Sequence, residues 1–147
     1  MHQNSNAIHS FLFYRFIMQD IHNAARNGAI DHLKEIIDKT TEIDIRERYS
    51  GQTALICAAL NGNTDCAQLL IDAKADLEVK DNDDKTALVG AASNGHTACL
   101  QVLMDAKADV HVKDRNGNTA LMWAVISGET ECARMLLRAK VDIEARD

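Results

Sequence analysis

The stretch DNDDKTALVGAASNGHTACLQVLMDAKADVHVK, residues 81–113, decides the fold because parts of it are written three times in the chain. Two short motifs return every 33 residues: AKAD, or its near-copy AKVD, at 73–76, 106–109 and 139–142, and TAL at 53–55, 86–88 and 119–121. Matches that are spread over a whole period indicate that one structural unit has been duplicated. The sequence therefore predicts a repeat protein.

Each unit has the pattern of two helices followed by an extended finger. Thr86 is a suitable N-cap, because its hydroxyl can accept a hydrogen bond from the first turn of a helix. Ala91 and Ala92 then lie on a narrow face at helical spacing, which lets a neighbouring helix approach closely. Gly95 is suited to the left-handed position that ends this helix, and a second, more apolar helix follows it. One unit alone leaves apolar faces exposed, so we expect the units to stack.

Several segments resemble the ankyrin repeat. Three follow its pattern closely, namely YSGQTALICAALNGN at 49–63, DNDDKTALVGAASNGH at 81–96 and DRNGNTALMWAVISGE at 114–129, and the degenerate copy DIHNAARNGAIDHLKEIID stands at 20–38. The resemblance implies an all-α ankyrin-repeat solenoid of stacked helix–turn–helix units with short β-hairpin-like fingers. It also implies a non-enzymatic scaffold or adaptor that binds another protein.

The repeat register divides the chain into five parts. Residues 1–17 are expected to form an N-terminal arm or leader, with a helix as one interpretation. Repeats are predicted at 18–47 (degenerate, N-terminal cap), 48–80, 81–113 and 114–147. The first unit aligns to the second at an offset of 34, so one extra residue is expected in its finger near IRERYSG. Asp147 stands at the first position of a further unit, so we expect an uncapped array that continues, or a fragment.

Charge and cysteine content argue against several classes of protein. A formal net charge of -6 and a pI near 5.4 do not suit a general nucleic-acid binder, which needs a surplus of Lys and Arg. No apolar run reaches the roughly 18 residues of a membrane helix. Cys66, Cys99 and Cys132 occupy equivalent positions, so stacking keeps them too far apart for disulfides. We interpret the thiols as reduced and buried in a cytoplasmic protein, with the nucleus left open.

The motif AKAD places a lysine where the ankyrin family prefers glycine. Lys74, Lys107 and Lys140 are therefore expected in a left-handed conformation, at a cost of about 1 kcal/mol each. Two explanations stay open at this point. The lysines are either neutral choices copied by duplication or a basic ladder along one edge of the stack. In both cases AKAD is predicted to close the second helix of each unit.

No catalytic, cofactor or metal site is predicted. The sequence contains no glycine-rich nucleotide loop, no HExxH motif and no CxxC pair. The cysteines have the wrong spacing for one tetrahedral zinc site. Asp81, Asp114 and Asp147 are interpreted as turn-formers that bond neighbouring backbone N–H groups. The alternative to a stand-alone adaptor is a substrate-recruiting or regulatory arm of a larger enzyme or ligase complex, with catalysis outside this chain.

The family resemblance implies that a partner protein binds the concave side of the stack, formed by the finger tips and the outward face of the first helices. The variable positions map onto Tyr49, Ser50, Gln52, Leu60 and Asn61 in the second repeat, Asn82, Asp83, Lys85, Ser93 and Asn94 in the third, and Arg115, Asn116, Asn118, Ile126 and Ser127 in the fourth.

Trp123, the one tryptophan of the chain, lies one helical turn before Ile126 on the same face. Tryptophan is enriched at binding hot spots, so these two side chains, rimmed by Arg115 and Asn118, are the candidate central contact. The alternative is that Trp123 packs against the neighbouring repeat and is mostly buried. We expect a protein partner, no nucleic acid and no membrane, with weak self-association through the uncapped end.

Overall fold

The computed structural model describes residue 16 and residues 19–144 of the chain, with side chains described as far as Lys140. The arm predicted at 1–17 lies outside the described residues, apart from Phe16, which is helical and exposed. Asp147 also lies outside them. The predictions made for both ends of the chain therefore stay predictions.

Eight helical stretches form the described part of the chain, which contains no β-strand. They are α1 (residues 19–27), α2 (Ile30–Ile37), α3 (Ala54–Leu60), α4 (Thr64–Asp72), α5 (Ala87–Ser93), α6 (Thr97–Asp105), α7 (Ala120–Ile126) and α8 (Thr130–Glu144). Helices α1, α3, α5 and α7 are the first helices of successive pairs, and the even-numbered helices are the second ones. The predicted all-α stack is confirmed.

The first helices α3, α5 and α7 pack more closely than the second helices α4, α6 and α8, although they are shorter. Helix α5 shares more contacts with α3 and α7 than α6 shares with α4 and α8. The reason is the small side chains on this face, including the buried Ala58, Ala59, Ala91 and Ala124. The first helices therefore form the more closely packed side of the stack. The concave binding side expected from the sequence stays a prediction.

Gly90 is a point of close approach between α3 and α5. A Cβ atom added there would lie 3.2 Å from the Cδ2 atom of Leu60, which belongs to the preceding first helix. The glycine is helical, so its role is space and not an unusual backbone conformation. Leu60 therefore uses the room that the missing side chain leaves.

The threonines at the starts of α3, α5 and α7 follow the predicted capping pattern with one exception. The hydroxyls of Thr53 and Thr119 accept hydrogen bonds from the backbone N–H groups of Ile56 and Met122, at 3.3 and 3.4 Å. Thr86 has the same extended backbone at the N-cap of α5, but its Oγ1 is buried and makes no hydrogen bond within the described part. The predicted capping position of Thr86 is right, and the predicted hydrogen bond is wrong.

The first two copies of AKAD end their second helices as predicted. Lys74 and Lys107 have φ values of 70° and 72°, which is the left-handed region. The backbone N–H of the residue after each lysine reaches five residues back, from Ala75 to Leu70 and from Ala108 to Leu103, both at 3.0 Å. These bonds satisfy carbonyl groups at the helix end. The left-handed assignment is confirmed for these two lysines.

The prediction for Lys140 is wrong, because α8 continues through the third copy to Glu144. In each of the first two copies, the N–H of the last residue of AKAD donates a hydrogen bond to a carboxylate in the finger of the preceding unit. Asp76 donates to Asp44, and Asp109 donates to Glu78. His111 stands at this finger position before the third copy and offers no carboxylate. Continuing the helix satisfies the backbone groups instead.

The four cysteine thiols are buried, as predicted from the sequence, and none forms a disulfide. Burial raises the pKa of the Cys57 thiol to about 11, and it also raises the pKa of Cys66, Cys99 and Cys132. A thiol with a raised pKa carries little thiolate at neutral pH and is a poor nucleophile. The cysteines are therefore packing residues.

The same substitution in the three AKAD copies should change stability in opposite directions. Glycine in place of Lys74 or Lys107 removes a left-handed strain of about 1 kcal/mol, which exceeds the roughly 0.5 kcal/mol that glycine costs through the unfolded chain. The double variant K74G/K107G should therefore raise Tm by about 3 °C. K140G, inside a helix, should lower stability by up to about 1 kcal/mol.

Thermal unfolding followed by circular dichroism measures both effects. A rise in Tm for K140G would show that the third copy also forms a left-handed turn. A fall in Tm for K74G/K107G would show that the two lysines contribute more than their strain.

Candidate protein-binding face

The sixteen residues predicted for the binding face lie on the turns, on the first helices and at the ends of these helices. Nine are exposed, namely Tyr49, Asn61, Asn82, Asp83, Asn94, Arg115, Asn116, Ile126 and Ser127. The other seven are half-buried, namely Ser50, Gln52, Leu60, Lys85, Ser93, Asn118 and Trp123. None of them is fully buried, so the set is accessible to a partner on the side where the first helices lie.

The turns are joined to each other along the edge of this face. Asn82 donates its backbone N–H to the carbonyl of Ser50 at 3.0 Å and its side-chain amide to the carbonyl of Tyr49 at 2.7 Å. Arg115 donates its backbone N–H to the carbonyl of Asp83 at 3.1 Å, and its guanidinium bonds the carbonyl of Asn82. Its guanidinium also lies 3.8 Å from the Asp83 carboxylate. These bonds hold successive turns in register.

Two of the predicted contact residues close the first helices. The side-chain amide of Asn61 donates to the carbonyl of Cys57 at 2.8 Å, and that of Asn94 donates to the carbonyl of Gly90 at 3.0 Å. Both residues nevertheless remain exposed. Each side chain is therefore tied to its own helix by a hydrogen bond.

Trp123 is held by its own turn and by the preceding one. Its indole N–H donates to Oδ2 of Asp114 at 2.7 Å, and the ammonium of Lys85 lies 4.1 Å from the centre of its ring. A cation over an indole ring is an attractive contact. Trp123 is half-buried and belongs to an intramolecular cluster, so it contacts the neighbouring repeat while part of its surface stays open.

Asp114 is the centre of this cluster. Burial favours the neutral carboxyl, but hydrogen bonds from the backbone N–H groups of Asn118 and Asn116 and from the Trp123 indole, with the charge of Lys85, together hold the pKa of Asp114 below its ordinary value. Asp81 makes the matching turn one unit earlier, accepting from the N–H groups of Asp83 and Lys85. The predicted role of both aspartates as turn-formers is confirmed.

Apolar exposure on α7 extends beyond the predicted Ile126. Met122 and Val125 are 48% and 65% exposed, and Ile126 is 63% exposed. The residues equivalent to Met122, Ile56 and Val89, are buried because the next helix pair covers them. Sequence reasoning missed Met122 and Val125, although the repeat register marks them as positions that face the next unit.

Sequence reasoning also missed the arginines of the first finger. Arg26, Arg46 and Arg48 surround its turn, and the Arg26 guanidinium lies 2.7 Å from the Glu47 carboxylate. The extra residue near IRERYSG could have indicated this cluster. With an offset of 34 it aligns Glu47, and not Arg48, with Asp81.

The described residues contain clefts but no cluster suited to a metal. A cleft of about 590 Å³ lies between the ends of α6 and α8, and its lining includes Lys107, His111, Met135 and Arg138. Among the described residues, no group of three or more His, Cys, Asp and Glu side chains is placed to hold a metal ion. None of the helices described here is both long and apolar enough to cross a membrane.

Helix pairs stacked by their small faces, with turns bonded edge to edge, define a helical repeat protein of the kind that offers an extended binding surface. The family model for ankyrin repeats in three copies matches residues 21–114 and again residues 75–147. The chain belongs to the ankyrin-repeat family. Ankyrin repeats are in general protein–protein interaction modules and are typically not catalytic. No curated protein matched the chain.

Replacing Asp114 should release Trp123. In D114N the charge-assisted hydrogen bonds weaken, which should cost about 1–2 kcal/mol of stability and shift the emission of the single tryptophan to the red. D81N is the matched comparison, because it weakens an equivalent turn that contacts the indole ring only through the Lys85 ammonium. It should lower stability with a clearly smaller red shift than D114N.

The pH dependence follows from the lowered pKa of Asp114. Ionised Asp114 stabilises the folded state. This contribution is fully present above the aspartate pKa of the unfolded chain, about 3.9, and is lost as the pH falls through the pKa of Asp114 in the folded protein. The emission of Trp123 in the wild type should therefore stay unchanged down to the ordinary aspartate pKa and shift to the red only at lower pH. The same emission in D114N and in wild type across this range would show that the bond to Asp114 does not hold the ring.

Proposed function

We propose that this chain is a non-enzymatic adaptor that binds a segment of a partner protein along its turns and first helices. The observation that carries the proposal is the row of exposed polar groups that are fixed by internal hydrogen bonds before binding. Asn61 and Asn94 are tied to helix carbonyls, and Asn82 and Arg115 bridge successive turns. Side chains ordered in advance lose little entropy when a partner binds, which favours affinity.

The chemistry of the titratable groups supports an adaptor more than an enzyme. The four thiols are buried with raised pKa values, and Asp81 and Asp114 are used in turns. A net charge of -6 favours a protein partner over a nucleic acid. We infer a cytoplasmic location, with the nucleus left open, because free buried thiols suit a reducing compartment.

A matched pair of exposed amides tests which side the partner uses. Asn61 ends the first helix α3 and Gln68 lies on the second helix α4, and each donates one side-chain hydrogen bond. In affinity capture from a native lysate, N61R should lose at least about tenfold of the bound partner, which corresponds to about 1.4 kcal/mol. Q68R, with the same change in charge, should retain it.

Circular dichroism first verifies that both variants are folded. A partner retained by N61R and lost by Q68R would overturn the proposed binding side, because it would place the contact on the second helices.

We also infer that the chain associates weakly with itself through the apolar face of α7. The support is the exposure of Met122 and Val125, whose equivalents are buried in the inner units, together with the neighbouring exposed Ile126. Sedimentation velocity should show an average mass that rises with concentration. V125E should abolish the rise, whereas Q68E, which adds the same charge on α4, should not. A wild-type mass independent of concentration would contradict this inference.

A further inference from the structure

The first turn is one residue longer than the two that follow it. In the second and third turns, the backbone N–H of the aspartate reaches the carbonyl four residues on, from Asp81 to Lys85 and from Asp114 to Asn118, both at 2.9 Å. In the first turn, the corresponding bond spans five residues, from Glu47 to the carbonyl of Gln52 at 2.8 Å. The extra residue predicted near IRERYSG is therefore accommodated in the turn itself.

The longer turn is stabilised by different side chains. Glu47 takes the place of the turn aspartate and accepts a hydrogen bond from the Ser50 hydroxyl at 2.6 Å, while this hydroxyl accepts from the N–H of Gln52. The other carboxylate oxygen of Glu47 lies 2.7 Å from the Arg26 guanidinium. Arg48 stands 33 residues before Asp81 in the sequence, but Glu47 occupies the structural position of this buried aspartate. Arg48 is therefore exposed.

Arg48 and Tyr49 form the exposed tip of this turn. Tyr49 is 88% exposed, and the guanidinium of Arg48 lies 5.8 Å from the centre of its ring. The base of the turn is rigid, because Arg46 donates to the carbonyl of Gly51 at 2.9 Å and to the side-chain oxygen of Asn82 at 3.2 Å. A fixed base with an exposed cation and an aromatic ring is a suitable anchor for a partner.

The positive charge at this tip is not neutralised locally. Among the described residues, neither Arg46 nor Arg48 forms an ion pair with a carboxylate, whereas Arg26, Arg115 and Arg134 each do. The whole chain carries a net charge of -6, so this turn is a positive site on an acidic protein. Such a site attracts and orients an anionic group and repels a basic one.

A cleft of about 330 Å³ adjoins the two arginines. It lies between the turn and the start of α1, and its lining includes Gln19, His22 and Ile45 as well as the turn residues. We propose that the first turn and this cleft dock an acidic segment of a partner protein, whose Asp or Glu carboxylates pair with Arg48 and Arg46. The inference rests on the proposed function, and it names the charge of the partner and the turn that anchors it.

Selection from a displayed library of short random peptides tests the inference with the full chain. Peptides selected by the wild type should be enriched in Asp and Glu. For a selected acidic peptide, R48E should weaken binding about fivefold to tenfold, because attraction is replaced by repulsion at an exposed site. R138E makes the same change in charge on the exposed side of α8 and should leave binding within about twofold. Raising the salt concentration should weaken wild-type binding.

The outcomes separate this inference from the proposed function. Selected peptides without acidic enrichment, which still lose binding in N61R, would overturn the acidic anchor and leave the adaptor function standing. Equal losses in R48E and R138E would show that net charge, and not this turn, attracts the peptide, which also overturns the inference. A wild-type chain that selects no peptide would count against peptide binding on this face altogether.

Discussion

Close packing between the first helices is the constraint on which the rest of the structure depends. Alanine and glycine on their facing sides bring the helices together, and Leu60 fills the space over Gly90. This packing sets successive repeats in register, so that their turns lie side by side. Only then can Asn82 and Arg115 bond the preceding turns. The proposed binding face is therefore a consequence of small side chains beneath it.

A second feature is that each turn is built around one carboxylate, and the choice of carboxylate changes what the turn exposes. Asp114 binds its own backbone and also holds the Trp123 indole, so the fourth repeat presents a fixed aromatic ring. Glu47 stabilises a longer turn through Ser50 and Arg26, which leaves Arg48 and Tyr49 at the tip. The same structural task, solved with two side chains of different length, gives two different contact surfaces.

The fold was largely predictable because its signals are local and repeated. Threonine at the helix starts, glycine after the first helices and lysine in AKAD each recur in several units. Their recurrence distinguishes them from chance matches. The exposure of the positions proposed for binding was predictable, but the internal contacts of their side chains were not. Whether Leu60 reaches Gly90, or Arg115 turns back to Asp83, depends on distances between units that no single repeat contains. Thr86 shows the same limit, since its predicted capping bond is absent.

The sequence by itself determined the repeat period, the helix pairs, the buried thiols and the left-handed Lys74 and Lys107, since the residue pattern within each unit indicates them. Only the tertiary structure decided the fate of AKVD, which stays helical to Glu144. The difference lies in the preceding unit. There Asp44 and Glu78 accept hydrogen bonds from the first two copies, whereas His111 offers no carboxylate to the third. A short motif adopts the conformation for which its neighbours supply hydrogen-bond partners, and those neighbours are set by stacking.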